Sequence, residues 1–470
     1  MRKNIIISYI EGIINSSTGE NYRTILRYFY PEFISSLVLY SALYLLDARF
    51  IADLKSTSMY TTLGISNTFL HFIVKIAEAS TLSITVLCGQ YNGAEKPQDV
   101  GRAFVEAFWV TVLVGICITG FLFFGAYNIY YFLGVSPKMI HLGIPFLRAR
   151  AISILFMFIY LACISLMRGL KNTQTPMVIF VIGACLFIVF DYALIFGCYG
   201  LPKLGLVGSA WASAIQYGAM CIMSISYIVF GSYHKQYTIN LFLGLSQYKN
   251  LKRIIALSWP IIIDKATIAA AYIWLGKMIA PMGKYALASY TVIKDLERFA
   301  FLPAVAFAQI ITFLVSNDFG KQNWPAIAAN IKKVVFLASL MVFGLLLMFS
   351  LCPSCIISFF DQKGTFTHFS AQIFPALSFF VFFDLLQLTL SAALRGAGDV
   401  RSVMWTRLTV CIVFFCPTTY LIAHHLPITS QAIKFLALYA TFYIGSAIMS
   451  IMYVRQFRTG EWSKRTQGKS

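Results

Sequence analysis

Long apolar stretches dominate this sequence and leave few folds open to it. Twelve of them are long enough to cross a hydrocarbon layer of about 30 Å. Because lipid offers the backbone no hydrogen bonds, each span must be a helix or part of a closed barrel, and continuous apolar runs favour helices. We therefore predict an all-α integral membrane protein with twelve transmembrane helices. The spans lie near residues 33–54, 61–88, 103–130, 142–166, 176–197, 207–231, 255–281, 286–316, 331–358, 369–394, 402–424 and 430–454.

Composition and charge agree with a membrane location. Hydrophobic residues make up 59% of the 470 residues and charged residues only 12%, which excludes a soluble protein. With both termini on one side, that side carries 22 Lys and Arg in its connections, against five on the other: Lys55, Lys138, Lys203, Lys284 and Lys363. The positive-inside rule predicts an inner-membrane protein with both termini in the cytoplasm. Its net charge of +19 then follows from topology, so we expect no nucleic-acid partner.

The two halves of the chain repeat each other. Residues 166–177 align with residues 393–404 at an offset of 227, and Gly93 and Gly320 share that offset. Six spans per half give both halves the same orientation, as in transporters built from parallel repeats. We predict two pseudo-symmetric six-helix lobes that enclose a cavity. The predicted organisation is a cytoplasmic segment 1–32, a first lobe 33–231, a cytoplasmic loop 232–254, a second lobe 255–454 and a basic cytoplasmic tail 455–470.

Three carboxylates, Asp47, Asp191 and Asp384, fall inside apolar spans. An ionised carboxylate is costly there unless it has a partner, a cation or a proton. Two interpretations stay open: a structural carboxyl satisfied by a neighbouring helix, or a group that couples transport to H+ or Na+. Helical spacing places further polar side chains on the faces of Asp47 and Asp384, as candidates for a substrate cavity. These are Tyr40 and Tyr44 beside Asp47, and Gln387 and Ser391 beside Asp384. Similar polar stripes run through Ser209, Ser213 and Gln216, and through Tyr439, Tyr443, Ser446 and Ser450.

Charged residues at helical spacing occur in two other spans. They are Lys75 with Glu78, and the group Lys294, Asp295, Glu297 and Arg298. Spacing of i, i+3 predicts structural ion pairs within a helix, with substrate contact as the alternative. The sequence has no zinc-site spacing and no nucleophile motif, so we expect no metal and no organic cofactor. An intramembrane enzyme is therefore a remote alternative.

Four motifs together resemble the multidrug and toxic compound extrusion (MATE) family over residues 30–455. They are Leu46-Asp47, the Arg168-Gly169 loop through Met177, the stretch from Asp191 to Gly208, and Phe383-Asp384 with the following Arg395-Gly396. The chain departs from the family pattern in several places. Phe187 stands where Asn is common, four residues before the fifth-span Asp, and Asp264 comes only four residues after Pro260, whereas one branch of the family carries a Glu deeper in the seventh span.

The resemblance implies a non-enzymatic antiporter that exports an organic, cationic or amphipathic, drug-like solute in exchange for H+ or Na+. It implies coupling through Asp47, Asp191 and Asp384, and we expect the protein to work as a monomer in the bilayer. The alternative within the same superfamily is a lipid-linked sugar flippase. A flippase of this kind is expected to have a wider, basic cavity. Lys75, Lys294 and Arg298 are the residues that could line it.

Overall fold

The structure, a computed structural model, describes residues 18–38, 43–132, 134–241, 250–360, 366–426, 430–460 and 462. These residues form seventeen α-helices. In chain order they are α1 Tyr22–Leu37, α2 Leu43–Asp53, α3 Thr57–Gly93, α4 Pro97–Phe132, α5 Pro137–Gly169, α6 Gln174–Phe196, α7 Leu206–Phe230, α8 Ser232–Tyr237, α9 Leu251–Ile279, α10 Lys284–Ala300, α11 Leu302–Gly320, α12 Trp324–Leu351, α13 Pro353–Phe360, α14 Thr367–Ala397, α15 Val400–Thr409, α16 Cys416–His424 and α17 Gln431–Thr459.

The predicted fold class, an all-α membrane protein, is confirmed. Among the described residues, eleven helical segments are long and apolar enough to cross a membrane. The remaining predicted span, 33–54, falls on α1 and α2, and residues 39–42 between them lie outside the described residues. Large apolar side chains stand on the outer surface, such as Phe124 at 83% exposed and Phe132 at 89%. Surfaces of this kind suit lipid contact.

Two predicted spans are less regular than the sequence indicates. Span 286–316 is two helices, α10 and α11, which meet at Phe301. Pro303, in the first turn of α11, lacks the N–H that would continue the helical hydrogen bonds. Span 402–424 contains a π-helical stretch, Val410–Phe415, between α15 and α16. Such stretches are frequent at functional sites in helices.

The chain divides into two compact units. The first unit is Tyr30–Ile262, and the second combines Met1–Phe29 with Ile263–Ser470. The division falls inside α1 and inside α9, close to a proline in each helix, Pro31 and Pro260. Residues 255–262 therefore group with the first unit, whereas the sequence alone placed them in the second lobe.

Each unit has one central helix. In the first unit α5 packs against α3, α4 and α7, and α7 packs in turn against α6. In the second unit α14 packs against α11, α12 and α17. Both central helices contain a proline, Pro145 in α5 and Pro375 in α14. The buried core of the first unit is largely aliphatic and aromatic.

The sequence repeat corresponds to a repeated packing contact. The Thr85 hydroxyl donates to the Ser165 carbonyl at 3.0 Å, and the Thr312 hydroxyl donates to the Ala392 carbonyl at 3.2 Å. Both residues of the second pair follow those of the first at the offset of 227. At the same offset, Gly169 and Gly396 let their helices approach the carbonyls of these threonines closely. The two units thus share a helix-to-helix contact that only glycine allows.

A second pair at this offset differs in charge. In the first unit the Glu106 carboxylate accepts from the backbone N–H of Asn250 at 2.7 Å, at the start of α9. In the second unit the Lys333 ammonium donates to the carbonyls of Thr18 and Glu20 at 2.8 and 3.0 Å, just before α1. An acid therefore binds backbone donors in one unit, and a base binds backbone acceptors in the other.

Candidate cation and solute sites

The first unit brings Asp47 of α2 and Asp191 of α6 into one cluster. Asp47 is 6% exposed, and its carboxylate accepts a hydrogen bond of 2.6 Å from the hydroxyl of Ser209 on α7. Asp191 is completely buried, and neither of its oxygens has a hydrogen-bond partner among the described residues. The two carboxylates interact electrostatically with each other. Fully buried, unsatisfied carboxylate oxygens are rare in proteins and require an explanation.

Arg150, on the central helix α5, supplies the positive charge of this cluster. Its guanidinium interacts electrostatically with both Asp47 and Asp191. It forms no ion pair within 4 Å with either acid, and its Nη1 atom is buried without a hydrogen-bond partner among the described residues. Arg150 therefore compensates the negative charge of the two acids from a distance and does not form a salt bridge with either.

In the second unit, Asp384 on α14 and Glu297 on α10 form the other acidic pair. The hydroxyl of Ser446 donates to Asp384 at 3.0 Å, and the hydroxyl of Tyr439 donates to Glu297 at 2.5 Å. Tyr443 lies beside the same Glu297 carboxylate. The two acids interact electrostatically. Neutral hydroxyl groups hold both carboxylates in place without cancelling their charge, and Arg407 compensates part of the charge of Asp384.

Tyrosine rings surround this pair. Tyr290 and Tyr439 meet edge to face with their centroids 5.8 Å apart, and Tyr439 lies 5.8 Å from Tyr443. The hydroxyl of Tyr290 donates to the backbone carbonyl of Tyr272 at 2.9 Å, and Tyr272 interacts electrostatically with both acids. Carboxylates among tyrosine faces form an environment that attracts organic cations.

The predicted ion pair between Lys294 and Glu297 is wrong. Glu297 points toward α17 and accepts from Tyr439, which is 142 residues away in sequence. Lys294 instead lies over the ring of Tyr290, with its Nζ 5.5 Å from the centroid. Glu297 is 8% exposed and Asp295 is exposed, so the two neighbouring acids have different environments. Lys75 and Glu78 do form an ion pair, at 2.8 Å.

A buried ionic cluster lies in the same unit. Asp264 of α9, 1% exposed, binds the guanidinium of Arg395 at 2.9 Å and that of Arg407 in a short contact. Arg407 also interacts electrostatically with Asp384. The corresponding arginine of the first unit, Arg168, binds Glu32 with two hydrogen bonds of 2.7 Å. In each unit, the Arg of the repeated Arg-Gly motif therefore pairs with an acid from the first helix of that half.

The remaining predicted site residues have mixed positions. Tyr40 lies outside the described residues, and the side chain of Tyr44 is not among those described. Gln387 is buried, with an amide nitrogen that lacks a partner among the described residues. Ser391 donates to the Leu388 carbonyl and accepts from Arg395 at 3.0 Å. The polar stripe on α14 thus extends from Asp384 to the Asp264 cluster.

Sequence reasoning did not select several of these residues. Glu32 and Arg407 were not singled out at all, and Arg150, Asp264 and Arg395 were noted for their resemblance to, or departure from, the family pattern but not chosen as site residues. Each is a charge in or beside an apolar span, and the rarity of such charges is the signal that could have found them. Ser209, Tyr439 and Ser446 did fall on the predicted polar stripes, but their acidic partners lie 62 to 162 residues away.

Two helical units related by an internal repeat, each with buried carboxylates, define a multi-pass membrane transporter. The MatE family model matches residues 33–193 and 260–421, one segment in each half. The chain belongs to the MatE family. It is a transporter, not an enzyme, and the family resemblance seen in the sequence is confirmed.

Relatives and solved structures agree with this assignment. The probable multidrug resistance protein NorM of Mannheimia succiniciproducens is 23% identical over 75% of this chain and 76% of its own length. The multidrug resistance protein NorM of Vibrio cholerae is 22% identical over 79% of this chain and 81% of its own. A crystal structure of MATE in the bent conformation is 16% identical, covers 99% of this chain and 100% of its own, and has a TM-score of 0.84. That structure shares the fold.

Proposed function

We propose that this protein is a secondary active antiporter of the inner membrane. It exports an organic, cationic or amphipathic solute while H+ or Na+ enters. The antiporter needs no cofactor besides the coupling ion. It works as a monomer, with both termini in the cytoplasm. The names of the relatives, which are multidrug resistance proteins, support a drug-like solute.

The observation that carries the proposal is the acidic pair Asp384 and Glu297. Both carboxylates accept from neutral hydroxyl groups, and the one guanidinium shown to interact with Asp384, that of Arg407, is already paired with Asp264. A further cation or a proton is therefore required to balance the two acids in a low-dielectric interior. Tyrosine rings beside them can bind an organic cation through their faces. The same acids can therefore bind either the inward cation or the outward solute. Competition between these two states is what exchange requires.

Two of the basic residues that could mark a flippase, Lys294 in the second unit and Lys75 in the first, lend that alternative little support. Lys294 lies over Tyr290, and Lys75 is paired with Glu78. The ion pair with Glu78 cancels the charge of Lys75, and the aromatic ring under Lys294 occupies one side of its ammonium group, so these two residues are poorly placed to bind a phosphorylated lipid head group. We therefore favour export of a cationic or neutral amphipathic solute.

The test is efflux of a fluorescent organic cation from proteoliposomes under imposed pH or Na+ gradients. We expect Asp384→Asn to fold and insert, since the amide keeps the shape and can accept from Ser446. Gradient-driven efflux should fall to the level of protein-free vesicles because the charge that links the two fluxes is gone.

The matched control is Asp399→Asn, a buried acid that follows α14 and binds Ser402 and Gln456. This variant should keep gradient-driven efflux. Full efflux by Asp384→Asn at equal protein content would remove Asp384 from the coupling mechanism.

A further inference from the structure

In the first unit, Arg150 interacts with both acids and forms no ion pair with either. In the second unit, Arg407 interacts with Asp384 but is itself paired with Asp264. We propose that Arg150 is the residue that makes Asp47 and Asp191 a proton site and excludes Na+ from it. This inference rests on the proposed antiport function and names the ion that the first unit exchanges.

The charge of the cluster sets the first condition. Asp47, Asp191 and Arg150 are the charged groups that interact with one another here. With all three ionised, two carboxylates and one guanidinium carry a net charge of −1. One bound proton makes the cluster neutral and leaves one carboxylate to balance Arg150. The cluster thus has room for one unit of positive charge.

Ligand geometry sets the second condition. A hard metal cation needs a shell of several oxygen ligands, whereas a proton needs one oxygen atom. Arg150 offers only N–H donors, so it cannot ligate a metal. Phe187, buried one helical turn before Asp191, adds apolar atoms.

The free oxygens of Asp191 set the third condition. A closed salt bridge between Asp191 and Arg150 would occupy the carboxylate and prevent its protonation. Both oxygens of Asp191 lack partners among the described residues, and so does Nη1 of Arg150. Asp191 is therefore buried and compensated, yet able to accept a proton. Asp47 already accepts a hydrogen bond of 2.6 Å from Ser209, whereas both oxygens of Asp191 are without such a partner among the described residues.

The informative variant is Arg150→Gln. The substitution removes a positive charge, so the two carboxylates are left with one more uncompensated negative charge. It also adds a carbonyl oxygen that can ligate Na+. The matched control is Arg148→Gln on the same helix. Arg148 is exposed, donates to the Phe123 carbonyl at 3.3 Å and lies over the ring of that residue. It is two residues from Arg150 and lies away from the acids.

The measurement is dye efflux from proteoliposomes with the membrane potential clamped. We expect a pH gradient to drive efflux by the native protein, and a Na+ gradient at equal pH to have no effect. Arg150→Gln should show Na+-driven efflux about tenfold above the background of protein-free vesicles and lose most of its pH-driven efflux. Arg148→Gln should behave as the native protein does.

Thermal unfolding of the purified proteins gives a second readout. Sodium chloride, compared with choline chloride at equal concentration, should raise the melting temperature of Arg150→Gln and leave that of the native protein unchanged.

Native efflux driven by a Na+ gradient at equal pH, together with a Na+ response of Arg150→Gln that is no larger than the native one, would overturn this inference and would leave the antiport function intact. The same follows if Arg150→Gln keeps the native ion preference in both assays. Failure of every imposed gradient to drive native efflux would instead contradict the antiport function itself.

Discussion

The two units share their packing and differ in their charges. Thr85 with Gly169 in the first unit and Thr312 with Gly396 in the second make the same helix contact at the same sequence offset. Around this shared frame, the first unit compensates two aspartates with one arginine at a distance. The second unit holds an aspartate and a glutamate with hydroxyl groups, and the arginine that interacts with its aspartate, Arg407, is closed into an ion pair with Asp264.

This difference shows that a repeat can preserve its scaffold while its sites diverge. The arginine of the Arg-Gly motif is a clear example. Arg168 binds one acid, Glu32, and its side chain is 18% exposed. Arg395 shares Asp264 with Arg407, and all three side chains are at most 6% exposed. The second unit has therefore built a closed ionic cluster where the first has a single partly exposed pair.

The largest expected difference between the units comes from this cluster. Asp264→Asn leaves two buried guanidinium groups without their carboxylate, and we expect a loss of about 3–5 kcal/mol in stability. Glu32→Gln leaves Arg168 with access to water, so its loss should be smaller. Thermal unfolding in detergent, followed by the loss of monodisperse protein, measures both. Equal losses would show that the two pairs are energetically equivalent.

A smaller difference is expected at the repeated glycines. A Cβ at position 396 would lie 2.5 Å from the Thr312 carbonyl oxygen, and a Cβ at position 169 would lie 3.0 Å from that of Thr85. Gly396→Ala must therefore push two helices further apart than Gly169→Ala. Overpacking of this kind costs about 1–3 kcal/mol, and Gly396→Ala should have the lower melting temperature of the two. The opposite order would mean that the second unit relaxes more easily.

The smallest effect on stability is expected at Glu297. Glu297→Gln keeps an oxygen that accepts from Tyr439. The loss in the free energy of unfolding should therefore be below about 1 kcal/mol, and the melting temperature should fall only slightly. Its gradient-driven efflux should nevertheless fall, since one of the two site charges is gone. The control is Asp295→Asn, an exposed acid on the same helix, which should leave both unchanged. A large loss of stability with normal efflux would assign Glu297 a structural role.

The sequence by itself determined that the chain is a helical membrane protein, that its halves repeat, and that Asp47, Asp191 and Asp384 lie inside spans. The helical spans follow from the sequence because lipid offers no hydrogen-bond partners, so a long apolar segment must form its backbone hydrogen bonds within a helix. The break between α10 and α11 could be anticipated only in part, from Pro303.

The tertiary structure alone decided which group each carboxylate meets. Local spacing suggested Lys294 for Glu297, but helix packing brought Tyr439 to it from 142 residues away. Likewise, nothing local to Asp191 indicated Arg150, because the two lie on different helices, α6 and α5. Sequence periodicity defines the faces of a helix, whereas the partners of a buried charge depend on which faces pack together. In a low-dielectric interior those partners decide whether an acid is a structural anchor or a site for a cation.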